Sequence, residues 1–209
     1  EIADRDWSSD VCSSDLAEFE EGFEYDDAFG EAVLEMRKLG FEIHYGRWLT
    51  DGKPKVILMP PLQVFDKIKE IRTTLLHDHK INIFNPDDLL QQVIAFGDLV
   101  THFLRTLESL QKGNPIIAHF HEWMTGMPIG AIKKEKLKIK TVFTTHATLL
   151  GRYIAGNDEN FYKNLSNYDW LQMAQKFYIE PQTRLERLAA NDCDIFTTVS
   201  DITGKECEF

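Results

Sequence analysis

Three stretches decide the fold: PIIAHFH (Pro115–His121), KIKTVFTTH (Lys138–His146) and CDIFTTVS (Cys193–Ser200). Each is a short apolar run of strand length, rich in β-branched and aromatic residues. Helical patterns separate them, over roughly Thr125 to Lys136 and over much of Phe161 to Ala190, and another helix begins near Asp201. Apolar strands that alternate with helices imply an α/β fold, a doubly wound parallel sheet with helices on both faces. Each run also starts apolar and ends polar, at His119-Phe120-His121-Glu122, at Thr144-Thr145-His146 and at Thr197-Thr198-Val199-Ser200. Open parallel sheets bind ligands just outside the carboxyl ends of their strands, so three polar ends would face one crevice.

Upstream of this alternation, Asn85-Pro86 reads as a helix cap with proline at the first helical position. Leu89, Val93, Phe96, Val100, Phe103, Leu107 and Leu110 then step by four and three, which predicts one long amphipathic helix ending before Gly113. Val64, Ile68, Ile71 and Leu75 suggest another. Further back, FEIHYGRWL (Phe41–Leu49) reads as a strand, Asp51-Gly52 as a turn and KVILM (Lys55–Met59) as a short buried strand. A helix is expected from about Asp26 to Leu39, with Phe29, Val33, Met36 and Leu39 on its apolar side and Gly40 as its stop. The acidic AEFEEGFEYDD (Ala17–Asp27) reads as a solvated loop.

The chain has 209 residues, enough for one domain or one lobe of a larger protein, and at 43% apolar it can bury a sizeable core. Its net charge of −11 argues against a nucleic-acid partner, which needs a basic face. No apolar run reaches the length of a membrane span, and no secretory leader is read, so the expected location is cytoplasmic. Cys12, Cys193 and Cys207 form no Cys-x-x-Cys pair and suggest neither a disulfide framework nor a zinc site. DWSSDVCSSDL (Asp6–Leu16) has no apolar periodicity and looks like translated sequencing adapter. Residues 1–16 are therefore set apart as an adapter-derived or disordered tail, leaving 17–209 as the folded part.

Among candidate residues, His119 and His121 are read as pointing to opposite faces of their strand, unable to share a metal, with His119 structural. Glu122 could orient a histidine. Gly151 and Arg152, just after a strand, suit a phosphate or sugar contact, because a guanidinium matches oxyanions. KKEKLKIK (Lys133–Lys140) reads as a solvated helix end, and Arg184, Glu186 and Arg187 as packing and salt bridges.

HFHEWMTG (His119–Gly126), VFTTHATLLGRYIAGN (Val142–Asn157), FYKNL (Phe161–Leu165) and RLERLAANDCDIFTTVSDIT (Arg184–Thr203) together resemble the glycogen synthases of animals and fungi and their bacterial relatives. The strong resemblance covers about 116–208, and a weaker one through YGRWL (Tyr45–Leu49) extends it back to about residue 44. It implies the amino-terminal Rossmann-like lobe of a two-lobed (GT-B type) retaining glucosyltransferase. Such an enzyme moves glucose from UDP-glucose, or another nucleotide-glucose, to the 4-hydroxyl of an α-1,4-glucan end. By motif match, His121 is the residue that contacts the donor glucose, and Glu122, Thr145, His146 and Arg152 belong to the substrate cleft. The resemblance implies no metal and no cofactor, a glycogen acceptor, and a homo-oligomeric parent. The family's Lys-x-Gly-Gly loop and its second lobe, with paired glutamates and the residues that hold the diphosphate, have no counterpart here. The chain by itself is therefore expected to be inactive. The rival readings are a non-catalytic single lobe that binds glycan or nucleotide, and another two-lobed glycosyltransferase.

Overall fold

The computed structural model describes residues 18–22, 27–111 and 113–208. The segment 1–16 lies outside them. The chain divides into two compact units, Glu1–Pro60 and Pro61–Phe209.

The first unit holds strands β1 (Phe19–Glu21), β2 (His44–Trp48) and β3 (Lys55–Leu58), paired antiparallel in that order, and helix α1 (Ala28–Lys38). The solvated loop expected at the start is thus partly a strand. Phe19 packs edge-on against Trp48, a cross-strand pair that the acidic composition of the segment hides. Asp27 caps α1, accepting from the Gly30 amide at 2.7 Å, and its other oxygen accepts from Tyr45 and Lys55. The buried side of α1 is Ala32, Val33 and Met36, whereas Phe29 and Leu39 are exposed, so the apolar stripe is rotated from the one expected. β3 is only half-buried.

The second unit begins with a 3-10 turn, Pro61–Lys67, and continues into helix α2 (Ile68–His79) and the 23-residue helix α3 (Asp88–Leu110). Its cap is Asp87, which accepts from the Leu90 amide at 2.7 Å; Asn85 and Pro86 stand before the helix. Two helices pack on α3, so it buries Leu90, Ile94, Leu99 and Leu104 besides the expected Val93, Phe103 and Leu107. Leu89, the first residue of the expected stripe, is exposed.

Then comes the α/β alternation: β4 (Ile116–His121), α4 (Met127–Glu135), β5 (Ile139–Thr145), α5 (Leu149–Ala155), α6 (Trp170–Lys176), α7 (Glu180–Asp192), β6 (Ile195–Thr198) and α8 (Asp201–Glu206). The three strands are parallel, in the order β4-β5-β6. α4, on the β4–β5 connection, packs against α7, on the β5–β6 connection, and the general right-handedness of such crossovers puts both on one face of the sheet. That face carries Phe120, the fully buried Phe143 and Thr145. A β-carbon added at Gly126, before α4, would lie 2.5 Å from that of Ala189 on α7, so glycine lets the two segments meet over Phe143. On the other face, among the described residues, Ile117 is 70% and Ile195 56% exposed.

Candidate functional site

The strand register sets the site. His121 lies opposite Thr144, and Thr144 opposite Thr197, so all three polar ends stand level at the carboxyl edge. The hydroxyls of Thr144 and Thr197 are 2.6 Å apart, and Thr144 also meets His119 Nε2 at 2.7 Å.

His119 and His121 share one face, with ring centroids 4.2 Å apart, contrary to the reading from sequence. Strand side chains alternate with period two, so residues two apart point the same way. Both are exposed. His121 Nδ1 lies 3.3 Å from His146 Nε2, which makes one ring donor and the other acceptor. Burial, aided by the neighbouring His119 and His146, pushes the His121 imidazole below its usual range. At neutral pH it is therefore an uncharged hydrogen-bonding group, suited to sugar hydroxyls.

Beyond His121 the chain turns sharply. Glu122 has φ 65° and ψ 161°, a region that side-chain-bearing residues rarely adopt. Its amide donates to the Thr144 carbonyl at 2.9 Å, and the Thr125 hydroxyl donates to the His121 carbonyl at 2.6 Å. The Glu122 carboxylate accepts from the His146 amide at 2.9 Å and lies 3.5 Å from the exposed Arg152 guanidinium. Glu122 thus braces the turn that carries His146, rather than orienting a ring.

Four backbone amides of the turn after β5 and the first turn of α5 are satisfied within the chain. His146 donates to Glu122, Thr148 to Glu206 at 3.3 Å, Leu149 to Glu186 at 3.0 Å and Gly151 to the Thr148 hydroxyl at 2.9 Å. Gly151 offers no free amide to a phosphate. A β-carbon at Gly151 would sit 2.4 Å from Thr148 Oγ1 and 2.7 Å from Glu206 Oε2, so glycine is what admits these caps. A satellite core of Leu150, Ile154, Phe161, Ala174 and Ile179 anchors α5 from behind.

Thr145 is buried, not open to the crevice: its hydroxyl is 3.4 Å from Glu186. Glu186 was expected to pack or pair. Instead it is buried beneath the turn, and desolvation lifts its carboxyl from 4.5 to about 7. Arg184 does pair, with Glu180 at 2.7 Å, and Arg187 stacks 4.3 Å above the Trp170 ring. The lysine run is solvated, as expected, with Lys133 and Lys140 each 2.9 Å from an aspartate, Asp192 and Asp194.

Of the site residues expected from sequence, His121, Glu122, His146 and Arg152 form one connected cluster, while Thr145 supports it from inside. The sequence reading missed Glu186, Glu206 and Thr203, whose hydroxyl donates to the His146 carbonyl at 3.2 Å. A signal for Glu186 exists: it falls four after Gln182 and three before Ala189, both buried on α7.

Residues 11–209 match the family model for glycogen synthase. The chain is 40% identical over 176 residues to a glycogen [starch] synthase of Neurospora crassa, covering 84% of this chain. It is 42% identical over 171 residues to one from Caenorhabditis elegans (81% of this chain) and 34% identical over 182 residues to the human liver form (87%). The chain spans about a quarter of the length of these curated relatives, 25% of the first two and 26% of the third.

Proposed function

This chain belongs to the glycogen synthase family, and from that membership we propose that it forms the amino-terminal, sugar-facing lobe of a two-lobed (GT-B type) retaining glucosyltransferase. The proposed reaction transfers glucose from UDP-glucose, or another nucleotide-glucose, to the 4-hydroxyl at the end of an α-1,4-glucan such as glycogen. The observation that carries this reading is the level edge of three parallel strands with His121, His146 and Arg152 clustered on it.

The proposed chemistry follows from those groups. The neutral His121 imidazole donates to or accepts from a donor-glucose hydroxyl, and His146 fixes which of its nitrogens is free. Arg152, exposed beside Glu122, supplies local positive charge in an otherwise acidic chain. A retaining transfer passes through an oxocarbenium-like state with charge developing on the leaving diphosphate, and fixed polar groups stabilise such charge best. A second lobe would close the crevice. The chain by itself is not proposed to turn over. We also place the parent protein in the cytoplasm and as a homo-oligomer; among the described residues no helix is long and apolar enough to cross a membrane.

The test is to incubate a full-length protein carrying this segment with glycogen and labelled UDP-, ADP- or GDP-glucose. The expected result is label in glycogen that an exo-acting α-1,4-glucosidase releases. Glycan binding without incorporation from any of the three donors would favour the non-catalytic reading and overturn this one.

A further inference from the structure

The two buried carboxylates under the turn come from elements far away in sequence. Glu186 lies on α7 and Glu206 on α8, and they are 6% and 5% exposed. Neither has an ion-pair partner within bonding distance among the described residues. Burying a carboxylate without a cation is costly, so its hydrogen bonds must account for its place. Those bonds run mainly to one turn. Glu186 accepts from the Leu149 amide at 3.0 and 3.3 Å and faces the Thr145 hydroxyl. Glu206 accepts from the amide and hydroxyl of Thr148, each at 3.3 Å, and from the Tyr162 hydroxyl at 2.8 Å. A carboxylate is acceptor-only, and this turn presents donors. The residues gripped, Thr145, Thr148 and Leu149, flank His146.

We propose that Glu186, with Glu206 beside it, is a positioning residue of the transfer site: it clasps the Thr145–Leu149 turn so that the His146 ring stays on His121 and Arg152 stays open to the crevice. This rests on the transferase reading above. The groups facing Glu186 are Glu122 from the end of β4, Arg152 of α5, Glu206 of α8 and Cys207 just after it, while Arg187 of its own helix lines, with Glu186, Glu206 and Cys207, a cavity of about 240 Å³. Glu122 raises its proton affinity and Arg152 lowers it, so the clasp's charge answers to the residues it positions.

The test has a structural and a kinetic arm. In the 209-residue chain, Glu186→Ala should speed hydrogen exchange at the Leu149 amide by about tenfold or more, through local opening. It should also move the His121 titration up towards the ordinary histidine value, because His146 leaves. Glu186→Gln, which keeps an acceptor in place, should do neither. In a full-length protein, Glu186→Ala should lower kcat by about 100-fold with little change in acceptor KM, the effect of a misplaced group. Glu186→Gln should keep kcat within about threefold, far inside that effect, and lose any inflection of the pH–rate profile near neutrality. Should Glu186→Ala fail to fold, Glu186→Asp keeps the charge, shortens the reach and takes its place. Unchanged Leu149 exchange and His121 titration would overturn the clasp. Released exchange with unchanged kcat would overturn the positioning role alone. A wild-type full-length protein that transfers nothing would overturn the transferase reading and the positioning role with it, while the exchange data would still judge the clasp.

Discussion

Replacing Glu186 with glutamine should stabilise the chain, and by an amount that grows with pH. The native carboxyl, lifted from 4.5 to about 7 by burial, binds its proton more tightly than the unfolded chain does. Stability from such a group is fully present below pH 4.5 and lost as pH rises through 7. At about 1.4 kcal/mol per pH unit, the loss is about 3 kcal/mol above neutrality. Glutamine is neutral at every pH and nearly isosteric. Its carbonyl can accept from the Leu149 amide and its amide can donate to the Thr145 hydroxyl. The hydrogen bonds to the charged form are already contained in the lifted value, so the variant should gain about 3 kcal/mol at pH 8.5 and nearly nothing at pH 4.5. Urea unfolding followed by far-UV circular dichroism at several pH values measures this. A gap between variant and wild type that stays flat from pH 4.5 to 8.5, or reverses sign, would refute the reasoning.

Two further outcomes follow from packing and charge. Gly126→Ala should destabilise by about 1–3 kcal/mol, because its new methyl meets that of Ala189, and Ala189→Gly in the same chain should restore part of the loss in thermal unfolding. The Lys140 ammonium and the Thr141 amide hold the Asp194 carboxyl below its usual range, so its contribution is present above pH 3.8 and fades as pH falls through the lowered value. Since this pair is largely solvated, Asp194→Asn should cost less than about 1 kcal/mol at pH 7, and the difference should vanish in an acid titration of stability.

The strands and the α/β class were legible because apolar runs such as PIIAHFH and KIKTVFTT carry their own length and flanking signals. The start of the last helix near Asp201 was legible too, and Ser200 caps it, its hydroxyl accepting from the Thr203 amide at 3.2 Å. What sequence did not reveal depends on neighbours distant along the chain. The buried surface of α3 is wider than the expected stripe because helices flank it on more than one side, which a single-faced period does not describe. β1 was hidden because its stability comes from β2 and from the Phe19–Trp48 contact. The opposed faces assigned to His119 and His121 were a misreading of the strand period, which places them together. At the site, His121, His146, Glu122 and Arg152 were visible as polar strand ends and their loops. Glu186 and Glu206 were not, because a glutamate in a charged helical segment looks solvated until the fold brings the turn above it.

The measurement that bears most directly on the central claim compares His121→Ala with His119→Ala in a full-length protein that carries this segment, assayed for glucose transfer onto glycogen. Loss of a hydrogen-bonding group at the reacting sugar costs about 100-fold or more in turnover. The expected result is a loss of that size for His121→Ala with an unchanged fold, and a smaller effect for His119→Ala, whose ring is held by Thr144. Near-normal transfer by His121→Ala would contradict the account.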